Sequence, residues 1–508
     1  MLTLLLLAAC HPDPHEPSSD ADPTGDDPGG DPPGTGPTDG PTDDTDTGAS
    51  PGTGTPPGTI DPTDWPMPPG IGTGPTFYVS TAGDDRDDGT TVETAFATLE
   101  RGVAAAEPGS IVYVLGGDYD GTLIQDGSFG RPDAWIRLTA YDATPVTIHG
   151  GGGLPAIYVY ADSCDEDNDL VSGTCDKAYW RLDGLSFEGD RAGSGEGVVI
   201  KIDTPQVQLV GNRLCCSVAD VVKLVRTADD VVIVGNELYQ DPSAVTPGSN
   251  AQGVDITGAD RVVVAGNWFH DLTDIAMYAK GNARDTVFDA NRVDRTGLGG
   301  EGNAVMCGQS TDAERLVDGD FESYGCRVTN NVISHVTGAC VAVGSSQGAR
   351  VYANTCYDTG TAIHAPLFLT NESEIGTRSV DLEIRGNIVV QPSGREVFTD
   401  SDRPAVDDWS TVTIDENLYF VDGDPVFSMK STPIEDGGDF TRWNDALAAV
   451  GAPPDTSRIV DPELVSASDL HLAPTSPAVD AGPCLVDHDA DGAPRPQGAG
   501  CDLGAYEQ

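Results

Sequence analysis

Short alternating runs of apolar and polar residues, four or five long, fill the chain from about residue 110 to residue 425, and they recur. Val207-Gln-Leu-Val-Gly-Asn212, Val231-Val-Ile-Val-Gly-Asn236 and Val262-Val-Val-Ala-Gly-Asn267 are near copies. Weaker copies end at Asn291, Asn331, Asn354, Asn387 and Asn417. The steps from Asn to Asn are 24, 31, 24, 40, 23, 33 and 30 residues, so the longer ones read as a 23–24-residue unit plus a loop. A second alternating run precedes most of these Asn residues, as at Val198–Ile202, Val221–Val225 and Ile275–Lys280. Alternation points one face inward and the other outward. Two or three such strands per unit, with turns too short for helices, predict stacked coils of a parallel β-solenoid. A leucine-rich repeat is excluded, because the units lack Leu-x-x-Leu-x-Leu and no helical run separates the strands. The recurring Asn has two mechanical uses. It tolerates left-handed backbone at a tight corner, and its amide can hydrogen-bond from coil to coil.

The ends of the chain read differently. Residues 1–9 and Cys10 spell a short apolar run ending Leu7-Ala8-Ala9-Cys10, too short to span a bilayer as a helix. This ending resembles the lipobox of bacterial lipoproteins, which implies a signal peptide over 1–9, lipidation of Cys10, and export to a cell surface or outer membrane. A lipid there would anchor the chain without a transmembrane helix. Residues 10–75 are rich in Asp, Pro, Gly and Thr; the first 75 residues hold 13 acids and no Lys or Arg. Such a segment cannot bury enough apolar area to fold, so an extended tether is expected. The whole chain has 508 residues and a net charge of −55, with 82 acids against 27 Lys and Arg. That charge argues against nucleic acid as a partner, since phosphate neutralisation needs clustered basic residues. A monomer is expected.

From Phe77-Tyr-Val-Ser-Thr-Ala-Gly-Asp onward, through Pro108-Gly-Ser-Ile-Val-Tyr-Val and the Asn units, the chain resembles the right-handed parallel β-helix superfamily, the pectin-lyase-like fold. The resemblance covers about residues 76–425 and implies an all-β solenoid with an N-terminal capping helix. Residues 93–106 suit that helix, with Phe96, Leu99, Val103 and Ala106 on one apolar face. Residues 426–508, including Ser476-Pro-Ala-Val-Asp-Ala-Gly482 and Asp502-Leu-Gly-Ala-Tyr-Glu507, are similar to a segment that closes surface β-helix proteins, and are expected to form a C-terminal cap.

With Cys10 assigned to lipid, ten of the 11 cysteines remain, an even number that favours disulfides in an exported chain. Cys164/Cys175 and Cys484/Cys501 bracket single loops and are the first expected pairs; Cys307/Cys326 and Cys340/Cys356 can close likewise. Adjacent cysteines rarely bond each other, so Cys215 and Cys216 look for partners on another coil.

Candidate chemistry lies on outward positions. The outward line reads Lys201, Lys223, Asp255, Tyr278 and Lys280, then Met306, Ala342 and His364. At ~4.8 Å between coils this row forms a stripe able to align an extended polysaccharide, with Lys201, Lys223 and Asp255 as binding residues. The segment Asp271-Leu-Thr-Asp274 with Ile275–Lys280 resembles the lysine-bearing coil of the chondroitinase B and alginate-lyase group. That resemblance implies a calcium-assisted lyase with Lys280 as base and Tyr278 or His364 as acid. The following coil departs from the pattern, offering Ala304-Val-Met-Cys-Gly308 and no Arg. A third reading makes the solenoid a plain stalk or adhesin. Three acidic loops are candidate calcium sites. They are Asp84, Asp85, Asp87 and Asp88; Asp165, Asp167 and Asp169; and Asp487, Asp489 and Asp491.

Overall fold

The structure is a computed structural model that describes residues 65–164, 175–190, 197–240, 251–297, 302–308, 311–371, 376–401 and 403–508. Strands of mostly three to five residues assemble into three twelve-stranded sheets that share one apolar interior. One coil shows the pattern. Val222–Leu224 lies in the third sheet, Val232–Val234 in the first and Glu237–Tyr239 in the second, after which Val254–Thr257 begins the next coil. Neighbouring coils pair in parallel, as in Val232–Val234 against Val263–Ala265. This is a right-handed parallel β-helix, the handedness that twisted strands favour in parallel crossovers. The inward residues of each coil, such as Leu214, Leu224, Ile233 and Leu238, are fully buried.

The Asn residues line up at the corner between the first and second sheets. Two residues occupy that corner in every coil from Gly211-Asn212 to Glu416-Asn417. The Oδ1 of each Asn accepts the backbone N–H of the Asn one coil earlier, at 2.8–3.0 Å from Asn212 to Asn417. Each Nδ2 donates to a first-sheet carbonyl of the preceding coil, as Asn267 does to Ile233 at 2.9 Å. The ladder ends on Leu185 N–H at one side and Ser457 Oγ at the other. Left-handed backbone falls one residue earlier than the ladder. Gly211, Gly235, Gly266, Ala290, Asn330, Ala353, Gly386 and Glu416 have φ between 51° and 71°. Glycine in Val-Gly-Asn is therefore there for its backbone, and the Asn for its carboxamide.

Both ends are plugged. Helix α1 (Leu99–Ala105) is shorter than the expected 93–106, because the Thr98 side chain caps its start and Ala106 turns extended ahead of Pro108. Phe96, Leu99, Val103 and Ala106 are nonetheless all buried against the first coils. At the other end α2 (Thr441–Val450) lays Trp443 and Leu447 over the interior, with the Trp443 ring stacked on Phe427 at 4.8 Å. Within the segment expected to cap the solenoid, α2 and Phe440 just before it sit over its end. Residues 461–508 instead run back along the outer face of the second sheet. Leu472, Ala478 and Leu503 cover Ile388, Val390 and Leu418, while Leu470, Ala505 and Tyr506 cover Val332.

Disulfides join Cys164–Cys175, Cys307–Cys326, Cys340–Cys356 and Cys484–Cys501. Cys215 and Cys216 bond each other, against the expectation that they reach another coil. The rungs on either side of Cys215 present Glu188 and Tyr239, so no third thiol stands opposite it.

Candidate functional site

The outward row of the third sheet is set by strand register. Tyr158, Lys201, Lys223, Asp255, Tyr278, Met306, Ala342 and Phe368 stand on consecutive rungs. Lys280 lies two residues beyond Tyr278, opposite Thr257. The sequence-predicted stripe thus exists from Lys201 to Ala342, but it is not one uniform surface.

Its first half is polar and tightly paired. Lys223 donates to Asp255 and lies 3.7 Å from Asp220, which precedes the same strand. Asp255 also accepts from the Thr257 hydroxyl at 2.9 Å. The Tyr278 hydroxyl donates to Gln252, whose amide reaches Asp274 at 3.4 Å. Lys280 Nζ sits 4.9 Å from the Tyr278 ring centroid, and Lys201 Nζ 5.2 Å from that of Tyr158. Arg226 donates to the carbonyls of Gly281 and Arg315, tying down a loop that brings the Arg315 charge within electrostatic reach of Lys223. Asp220 and Asp255 are 5% and 1% exposed, whereas the Lys223 side chain keeps 26% of its surface. The two carboxylates are thus buried beneath an ammonium that keeps part of its surface.

Burial and charge act against each other here. Burial opposes ionisation of Asp255, yet Lys223 and Lys280 hold its carboxyl below the ordinary range. Burial also disfavours a charged Lys223, and the Asp255 and Asp220 carboxylates more than offset that. Burial dominates at Tyr278 and raises its phenol well above the usual value. The phenol is 1% exposed and donates to Gln252.

The second half of the row is apolar and covered. Ile275, Tyr278, Met306, Ala339, Ala342 and Phe368 form a small cluster of their own outside the main core. The rung after Ala342 is filled by Phe368, and His364 lies before that strand rather than on the row. His364 stacks on Phe368 at 4.1 Å and contacts Asn303 at 3.1 Å, and burial lowers its pKa. Phe368 is three rungs from Tyr278, roughly 14 Å at ~4.8 Å per rung. The His364 ring reaches back from that coil to Asn303, just before the Met306 strand.

The acidic loops close turns. Asp84 pairs with Arg86, Asp85 accepts the backbone N–H of Ala97 and Thr98, and Asp88 accepts from Thr90 and Thr94. Asp487 pairs with His488, Asp491 with His471, and Asp489 accepts the backbone N–H of Asp491, Ala493 and Glu507. No three His, Cys, Asp or Glu side chains among the described residues come together as a metal cage. Asp165, Asp167, Asp169 and Cys10 lie outside the described residues. At Lys280 the donors do not fit calcium either. Asp220 and Asp255 face Lys223, and Asp274 faces Gln252.

Sequence reasoning missed Asp220, Gln252 and Arg315. Asp220 had a signal, standing three residues before Lys223. Arg315 had none, because it arrives on a loop between rungs. A shallow cavity of about 520 Å³ opens elsewhere, lined by Asp320, Phe321, Arg378, Val380 and Asp407, where Arg378 and Asp407 approach to 3.9 Å. It does not touch the lysines.

No family model and no curated protein matches this chain. Among solved structures it is similar to the crystal structure of pectate lyase Pel9A, with a TM-score of 0.54 and 17% identity over 86% of this chain and 98% of that one. It is also similar to XylC in complex with xylose, at a TM-score of 0.48 and 10% identity over 85% of this chain and 98% of that chain. A lacto-N-biosidase from Eubacterium ramulus gives a TM-score of 0.43 and 11% identity over 76% of this chain and 68% of its own. Identity this low speaks to architecture alone, and by architecture the chain is a right-handed parallel β-helix of the pectate-lyase-like kind.

Proposed function

We propose that this chain binds carboxylated polysaccharide at the cationic patch of the third sheet, as an exported protein held to a membrane by lipid on Cys10. One observation supports the reading above all. Lys201, Lys223 and Lys280, with Arg226 and Arg315, gather on one face of a chain whose net charge is −55. The acidic remainder repels a polyanion, so attraction is concentrated at this spot. The rungs repeat every ~4.8 Å, close to the length of a pyranose unit, so a glycan lying along the solenoid presents one acidic group per coil. The Tyr158 ring beside Lys201 adds an amphipathic surface of the kind sugars pack against. The fold shared with a pectate lyase makes pectate the first ligand to try.

The test is affinity of the full chain for immobilised polygalacturonate and alginate, with dextran as the neutral control. Replacing Lys201→Gln and Lys280→Gln together is expected to weaken acidic-glycan binding about ten-fold. Equal affinity of variant and wild type would sink the patch. The same mixtures, read for ultraviolet absorbance, report unsaturated uronate ends. Their appearance, with loss in Lys280→Ala, would convert the reading into β-elimination with Lys280 as base.

A further inference from the structure

Beneath the patch lies a carboxyl group that its neighbours do not fully satisfy. Asp220 is 5% exposed, one oxygen lies 3.7 Å from Lys223 Nζ, and its Oδ1 is buried with no hydrogen-bond donor. The stronger bond of Lys223 goes to Asp255, whose second oxygen is held by Thr257. Two buried carboxyls thus compete for one ammonium, and Asp255 holds it. A buried carboxylate with an unpaired oxygen is costly, and a proton is the simplest way to relieve that cost.

We propose that Asp220 is a protonation gate for the patch: protonated, it leaves Lys223 and Lys280 against the Asp255 carboxylate alone and favours carboxylated glycan; ionised, it cancels one of those two cations and weakens the grip. This deepens the polysaccharide reading above and rests on it. The charged and titratable groups facing Asp220 are Lys223 three residues on, Asp255 one coil on, and Tyr278 and Lys280 on the next coil. Arg315 acts on it indirectly, through Lys223. Tyr278 stays neutral throughout, and Lys223 and Asp255 stay ionised because each holds the other, which leaves Asp220 as the group that changes. Burial, helped by the Asp255 carboxylate and opposed by Lys223 and Lys280, raises Asp220 to about 7. The carboxylates of the glycan, with ordinary pKa values of about 4, remain ionised on both sides of that point.

The experiment measures affinity of the full chain for polygalacturonate from pH 6 to pH 8, in the wild type and in Asp220→Asn. The wild type is expected to lose about five-fold over that interval, while the variant binds at the tighter level throughout. An identical pH profile in both proteins overturns the gate. A second readout needs no ligand. The Asp220 side-chain carbon, followed by ¹³C NMR in the wild-type protein, is expected to titrate near neutrality, and titration in the ordinary carboxylate range overturns the gate whatever the binding data show. If that carbon titrates near neutrality but no acidic glycan binds at any pH, the binding reading fails while the buried proton stands.

Discussion

The second and third sheets are built alike, with twelve strands each and inward rows from the same coils, yet their outer faces differ. On the second sheet the later rungs present Val332, Ile388, Val390 and Leu418 outward, and residues 461–508 cover them. That covering segment is held at its own centre by Arg495, whose side chain is 1% exposed against that of Glu507 at 0% and which also donates to the backbone carbonyls of His488, Asp502 and Gly504. On the third sheet the outward row changes character at Tyr278. Charged groups stand on the rungs before it and an apolar cluster follows. The lesson is that outward positions of a solenoid serve whatever packs on them. Where the chain supplies its own cover the outer row is apolar; where solvent remains, it carries charge.

The largest way to break this contrast is Arg495→Ala. It leaves the Glu507 carboxylate buried without its counter-charge and is expected to cost about 3–5 kcal/mol, read from the denaturant midpoint. Leu503→Ala, in the layer between segment and sheet, comes next at about 2–5 kcal/mol in the same assay. Phe420→Ala on the same sheet sharpens the point, because Phe420 is 37% exposed and should change stability by less than about 0.5 kcal/mol.

A pH series tests the cover directly. His488 bridges to Asp289 at 2.7 Å and His471 to Asp491 at 2.9 Å, and these hydrogen bonds raise both imidazoles from 6.5 to about 9. A raised histidine stabilises the folded state fully below its unfolded pKa and loses that contribution as pH climbs through the folded one. Amide exchange in residues 461–508 should therefore speed up between pH 6.5 and 9, beyond its intrinsic pH dependence, with no matching change on the third sheet. Both rings are about a third exposed, so the effect is modest. The smallest expected effect is Lys280→Gln, within about 0.5 kcal/mol for stability, since surface cations contribute little to folding. A larger loss there would place Lys280 in the framework instead of the binding face.

The coils were legible because Val-Gly-Asn joins two local requirements, a left-handed residue and a carboxamide, in adjacent positions. Lys201, Lys223, Asp255 and Tyr278 could be put on one row because alternation fixes register. What stayed hidden depends on contacts far apart in sequence. Nothing near Val332 or Leu418 announces a cover arriving from beyond residue 461. Arg315 comes to Lys223 on a loop of irregular length, and Asp220 looks like an ordinary turn acid until burial is known. Alternation counted through a bend puts His364 on the row, but Phe368 takes that rung.

The two-residue corner has a consequence for how such a molecule can vary. Its length is constant from Gly211-Asn212 onward, while the connection from third sheet to first ranges from four residues after Ile202 to twenty after Val159. The carboxamide column works as a fixed spine to which every rung is referenced. Insertions can accumulate on the opposite margins without shifting that reference, and those margins border the lysine-bearing surface. New specificities can thus be drafted beside the site while the scaffold keeps its phase.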